Sequence, residues 1–243
     1  MDTAELEILW QDNLALVVNK PAGLLTQAPA EIESLESRLR ALPNLGTYLA
    51  FAHRIDRPVS GAVLIARNVR AARRFGEQFQ SRKIGKTYLA IVAGQVKPWT
   101  GEWIDWMRKI PGQAQAEIVA PDAPGARQAI LNYQVIQSLC LPSGHPASVL
   151  EIELQTGRMH QIRLQCAARG FPLLGDALYQ SPPLHGFGAE VTSDRERLIA
   201  LHARRLTFHH PKTGVRTTVT APLPTYWFSN VEQLSLSGES EAG

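Results

Sequence analysis

The sequence predicts an α+β fold, on three observations. Short apolar runs alternate with polar residues or stand as brief blocks, only a few segments carry helical spacing, and Pro/Gly turns separate them. The chain has 243 residues, 44% hydrophobic and 19% charged, which suits one sizeable globular domain with a proper core. A disordered chain would lack the apolar surface that offsets the entropy of ordering.

Residues 6–10 (LEILW) and 14–19 (LALVVN) read as two strands around an Asp12-Asn13 turn. Lys20-Pro21-Ala22-Gly23 then breaks the pattern, because Pro lacks the donor a sheet needs and Gly permits a turn. Residues 34–42 space Leu35, Leu39 and Leu42 as a helix does. Residues 53–61 are polar, contain Pro58 and Gly61, and read as a loop before the buried strand 62–66 (AVLIA). Asn68 caps a helix over 69–82, with Phe75 and Phe79 on its inner side. Gly85 is expected to stop that helix, and 87–93 returns as a strand.

From 103 to 137 the pattern predicts short strands broken by turns, notably at 121–125. Residues 149–154 alternate, with Leu150, Ile152 and Leu154 facing in and Val149, Glu151 and Glu153 facing out. A helix is expected over 159–169, ending at Gly170, and then an ordered Pro/Gly-rich loop over 178–195. Residues 215–220 make a late strand. The expected domain spans 1–228, and 229–243 is expected to be a flexible acidic tail.

The net charge is +3, but it is unevenly spread. Residues 53–88 hold nine Lys/Arg against Asp56 and Glu77, which makes that segment +7 and the rest −4. Residues 195–216 hold six Lys/Arg against Glu196 alone. Concentrated positive fields on a nearly neutral protein suggest a polyanionic partner, against the plainer reading of a solvated basic helix face. No apolar run approaches the roughly 20 residues that cross a bilayer. The N-terminus is acidic where a secretory signal is basic. Cys140 and Cys166 form no C-x-x-C pair, which argues against a disulfide framework and a structural zinc site. A cytoplasmic protein is expected.

Several apparent motifs fail. Ile84-Gly85-Lys86-Thr87 resembles the end of a phosphate-binding loop, but Gln80 stands where that loop needs glycine. Gly186-Phe187-Gly188 lacks the next glycine of a dinucleotide fingerprint, and His209-His210 lacks metal-site spacing. Neither a metal nor a nucleotide cofactor is expected.

Three segments carry chemistry. His53-Arg54-Ile55-Asp56-Arg57-Pro58-Val59-Ser60-Gly61 sets a carboxylate between two arginines beside a buried strand. Lys86-Thr87-Tyr88-Leu89-Ala90 puts a tyrosine at the head of a strand. Thr156-Gly157-Arg158-Met159-His160-Gln161-Ile162-Arg163 runs from a turn into a helix, with His160 and Arg163 on one face. Together they closely resemble the RluA-type family of RNA pseudouridine synthases. Residues 8–25, with the Lys-Pro-Ala-Gly turn, 79–94, Gly175-Asp176-Ala177-Leu178-Tyr179, and Leu201-His202-Ala203 through His210-Pro211 extend the likeness over roughly residues 8–224.

The resemblance implies a mixed, largely antiparallel sheet with flanking helices and loops and a central catalytic cleft. It implies isomerisation of uridine in rRNA or tRNA without a cofactor, by a chain expected to be a monomer. Asp56 is then the catalytic nucleophile, acting at C1′ or C6 or by taking the C2′ proton. Arg163 is its cationic partner and Tyr88 the active-site tyrosine. Ile162 would pack on the flipped base, and Arg54 would fill the gap it leaves. Arg57, His160, Arg158 and Lys20 complete the expected substrate-binding set, Lys20 by reaching RNA phosphate.

Plainer readings stand beside these: Asp56 as a turn residue held by Arg54 and Arg57, Arg163 as a surface ion pair, Tyr88 as an ordinary strand aromatic, Lys20 as a solvated turn residue, and His53 and His160 as scaffold. Pro58, Val59, Ile55 and Gln165 depart from the common family pattern, and Gln165 bears on RNA preference more than on chemistry. The catalytic strands start so early that no N-terminal S4 domain is expected. Substrate capture is therefore expected from residues 67–86 and 195–216. The competing function is a catalytically silent RNA-binding protein on the same fold, which would not need Asp56, Tyr88 and Arg163 together. An aspartate-dependent hydrolase ranks below both, because no second acid or base stands at a readable spacing.

Overall fold

The computed structural model describes residues 6–43, 45–141, 143–179 and 198–228. The expected loop after Tyr179 and the acidic tail lie outside the described residues. In chain order the elements are β1 (Glu7–Gln11), β2 (Ala15–Lys20), α1 (Leu35–Ala41), β3 (Ala50–Phe51), β4 (Ser60–Ala66), α2 (Val69–Gln80), β5 (Gly85–Ala93), β6 (Thr100–Lys109), β7 (Ala116–Ile118), β8 (Arg127–Cys140), β9 (Pro146–Leu154), α3 (Gln161–Ala168), β10 (Leu201–His209), β11 (Arg216–Thr220) and α4 (Thr225–Phe228).

Among the described residues the strands form one mixed sheet in the order β1-β2-β4-β10-β5-β9-β8-β6-β7, with β11 on β10 and β3 on β4. The pairing of β4 with β10 is parallel, through Ser60–His202 and Gly61–Ala203, and the other named pairs are antiparallel. The parallel contact needs a glycine. Gly61 has φ +115°, and a Cβ there would lie 2.3 Å from the Ala203 carbonyl oxygen. This close approach joins the strand after the Asp56 loop to the middle of the sheet.

Both faces of the sheet centre are covered. On β4, Val63 and Ile65 enter one apolar cluster while Ala62 and Leu64 enter another beneath α2, so the strand is a continuous apolar run rather than an alternating one. The same covering corrects the expectation for Val149, which faces away from Leu150 and Ile152 but is buried among Leu89, Ile91, Leu174 and Trp227. Only the glutamates on that face of β9 keep access to water.

Two boundaries differ from expectation. The segment read as short broken strands is the long antiparallel pair of β6 and the 14-residue β8, in register from Thr100–Gln134 to Met107–Arg127. Ala129, Leu131, Tyr133 and Val135 point inward there, and the polar residues between them face out rather than breaking the strand. Helix α2 ends before Gly85. Lys83 N–H donates to the Gln78 carbonyl and Arg82 N–H to Phe79, with Arg82 at φ 56°. This is the closing pattern that glycine usually serves, and here Gly85 instead opens β5.

Candidate active site

Asp56 sits on the loop between β3 and β4, and that loop is laced to the turn after β2. Gly23 N–H donates to the Arg57 carbonyl and Arg57 Nε returns a bond to the Gly23 carbonyl, each at 2.8 Å. Thr26 Oγ1 donates to the Ile55 carbonyl at 2.9 Å. Lys20 Nζ donates to the carbonyls of Pro21, Leu24 and Arg57 at 2.8, 2.7 and 3.2 Å. Lys20 is 0% exposed, which corrects the expectation that it reaches RNA phosphate. Burial pushes its pKa down to about 7, with the charge of Asp56 opposing. Arg57 is likewise tied to the Gly23 turn through Nε rather than to Asp56.

The opposite wall comes from α3 and the 3-10 turn Ala177–Tyr179. Asp56 lies 3.4 Å from Arg163 Nη1, and its side chain keeps 32% exposure against 6% for the arginine. The other edge of the guanidinium is held bidentately: Nε donates to Asp176 Oδ2 at 2.7 Å and Nη2 to Oδ1 at 2.8 Å. Asp176 is 1% exposed. Burial opposes the charge on Arg163, but the Asp176 hydrogen bonds and the charges of Asp176 and Asp56 outweigh it and hold its pKa above the usual value. Such a fork fixes the plane of the guanidinium as well as its charge.

His160 precedes α3 at φ 52°. Its Nδ1 lies 2.9 Å from the Tyr179 hydroxyl and its Nε2 3.7 Å from Asp56 Oδ2. Burial lowers its pKa, with Asp56 pulling the other way, so the ring is neutral near pH 7. The Tyr179 ring also lies 5.3 Å from the Arg163 guanidinium carbon. The turn before α3 is pinned by Gln161, whose Oε1 accepts from Thr156 Oγ1 and Arg158 N–H while Nε2 donates to the Ile130 carbonyl.

Asp56, Tyr88, Ile162, Arg163, His160, Arg158, Arg54 and Arg57 all line one open cleft of about 2350 Å³. Tyr88 is buried on β5 opposite Ile152. Burial, and then the negative charge of Asp56, raise its pKa, so it keeps its proton. His53 accepts from Leu64 N–H, stacks beside Phe79 and is driven neutral by burial, with a pKa near 3. Gln165, expected to bear on RNA preference, is fully buried on the inner side of α3 and donates to Asp105 Oδ2 at 2.7 Å, away from the cleft.

The basic segments divide. Arg82, Lys83, Lys86, Arg205 and Arg216 line the cleft. Arg73 and Arg74 do not, and both pair with Glu77 on the outer face of α2. Arg67 donates to the Asp12 carbonyl at 2.7 Å. The sequence motifs contained Asp176 and Tyr179 without assigning either a role. A carboxylate beside a buried arginine shows its purpose only when the two are brought together.

A basic cleft that holds the part-exposed Asp56 carboxylate, a locked arginine, a protonated tyrosine and an aliphatic wall can bring a reactive carboxylate against a polyanion. A family model described as RNA pseudouridylate synthase matches residues 14–168. The chain belongs to that family of RNA-modifying isomerases. It is 34% identical to the tRNA pseudouridine synthase C of Haemophilus ducreyi over 92% of this chain and 93% of that one. It is 31% identical to the ribosomal large subunit pseudouridine synthase D of Pseudomonas aeruginosa, over 90% of this chain and 69% of that one. The solved structure of human RNA pseudouridylate synthase domain containing 1 matches with TM-score 0.71 and 26% identity, over 90% of this chain and 84% of that one.

Proposed function

We propose that this enzyme isomerises specific uridines in tRNA or ribosomal RNA with Asp56 as its nucleophile. The observation that carries the assignment is the Asp56–Arg163–Asp176 arrangement in a basic cleft. In the reaction the N1–C1′ bond breaks, the base turns, and C5 joins C1′. C5 loses a proton and N1 gains one, so the balance needs no oxidant or reductant. The Asp56 carboxylate adds to C1′ or C6, or takes the C2′ proton, and each route starts with the arginine 3.4 Å away. Tyr88 and Ile162 sandwich the uracil, and stacking on an aromatic side chain is worth about 1–3 kcal/mol per base. The protonated Tyr88 hydroxyl relays the C5 proton in this reading. Arg54, exposed at the cleft edge, fills the stack after flipping.

The names of the relatives support a tRNA or ribosomal RNA target, and the reading places the enzyme in the cytoplasm as a monomer. Among the described residues no helix is long and apolar enough to cross a membrane. The test is to incubate unmodified transcripts of tRNA and ribosomal RNA with the enzyme and map carbodiimide-dependent stops of reverse transcription. Discrete new stops at uridines are expected. Their absence from both RNA classes would remove the proposed targets.

A further inference from the structure

A second cleft, of about 640 Å³, opens beside the first where β6, β7 and β8 meet. Met107, Ala116, Pro124 and Met159 give it an apolar floor and wall, and Lys109, Arg127 and Arg158 stand around it. Arg158, Met159 and Lys109 also line the catalytic cleft, so the two are adjacent and share a wall. Its wall is fixed by Arg108, whose Nε donates to Glu117 at 2.8 Å and whose Nη1 reaches the Pro124 carbonyl.

Among the described residues the remaining cations meet no carboxylate. Arg158 Nε donates to the Gln128 carbonyl at 2.9 Å, and neither Lys109 nor Arg127 has a side-chain hydrogen bond or ion pair among the described residues. Burial, then repulsion from Arg127 and Arg82, lowers the pKa of Arg158. Like charges crowded round an apolar floor complement a ligand with a flat apolar body and an anionic edge. A nucleotide has that form, and methionines adapt to a planar ring.

We propose that the second cleft takes an unstacked base of the substrate RNA strand, flanking the target uridine, with its phosphates against Lys109, Arg127 and Arg158. This inference rests on the reading of the chain as an enzyme that binds RNA in its main cleft. It makes substrate recognition two-point, with one base held for reaction and a neighbour held for register.

The test is a ladder of fluorescent oligouridylates from 4 to about 12 nucleotides, bound to wild type, Pro124→Asp and Arg127→Glu. Both substituted side chains lie at the exposed rim, and circular dichroism checks that each variant folds. Wild-type affinity is expected to step up about tenfold at the length that bridges both clefts, the size of one stacked base. Both variants should lose the step and match wild type on the shortest oligomer. A step that survives in both variants, or no step in wild type, overturns the second site while leaving the main cleft's reading intact. Absence of binding at every length would overturn both.

Discussion

The two walls of the cleft are held by different physics. The Asp56 wall is stitched by backbone amides and carbonyls, with Lys20 spending its three donors on carbonyls and meeting no carboxylate directly. The Arg163 wall is held by a buried ion pair whose geometry is set by two short charge-assisted bonds. The difference assigns the tasks. A loop held through its main chain leaves the Asp56 side chain free to react, whereas a side chain locked from behind, like Arg163, presents a fixed charge. On the proposed reading Asp176 is therefore a positioning residue, acting on the substrate through Arg163.

The largest effect short of removing Asp56 itself should come from unlocking the charged wall. Asp176→Asn keeps the shape but removes the countercharge, and turnover should fall about 100-fold, as for a misplaced catalytic group. RNA affinity should stay within a few fold, a split that general unfolding would not give. Asp176→Ala leaves the buried cation with Asp56 alone, 3.4 Å away, and should cost roughly 3 kcal/mol in denaturant unfolding, the low end for a broken buried pair. Unchanged turnover in Asp176→Asn would erase the distinction between the walls.

Next is the split among the basic residues. Arg82→Glu with Lys83→Glu should weaken RNA binding and flatten its salt dependence, because each lost phosphate contact removes about 0.7 from the log–log slope for a single strand. Arg73→Glu with Arg74→Glu should leave the slope near wild type, since these arginines face away from the cleft. Equal losses from both pairs would place the RNA path over α2.

The Asp56 wall has a pH signature. Lys20 has a folded pKa near 7 against 10.5 when free, so between those values the unfolded chain binds the extra proton. Stability from this group should rise from about pH 7 towards 10.5 and be flat below pH 7. Lys20→Met should lack the rise, as followed by thermal melting across that range. The smallest effect concerns Arg82, whose left-handed backbone costs roughly 1 kcal/mol beside glycine. Arg82→Gly should melt higher and bind RNA more weakly, and a variant weaker in both respects would contradict the trade.

Much of this was legible beforehand. The apolar block of β4, the Asn68 cap and the Asp56, Tyr88 and Arg163 motifs each carry a local signal. The long β6–β8 pair was not, because outward polar residues on a one-faced strand resemble breaks. Lys20 misled because a lysine in a Pro/Gly turn looks solvated, and only three converging carbonyls make its burial tolerable. Asp176 stood within a recognised motif, but its role depends on a contact 13 residues away across a turn. The basic residues from 67 to 86 read as one patch in sequence, and only folding shows that Arg82, Lys83 and Lys86, past the end of α2, line the cleft while Arg73 and Arg74 on the helix do not.

The most direct test is release of tritium from [5-³H]uridine-labelled tRNA and ribosomal RNA, under single turnover, by wild type and Asp56→Asn side by side. Wild type should release tritium while Asp56→Asn binds the same RNA within a few fold and releases none. Release by Asp56→Asn at the wild-type rate would contradict the assignment of Asp56 as the nucleophile.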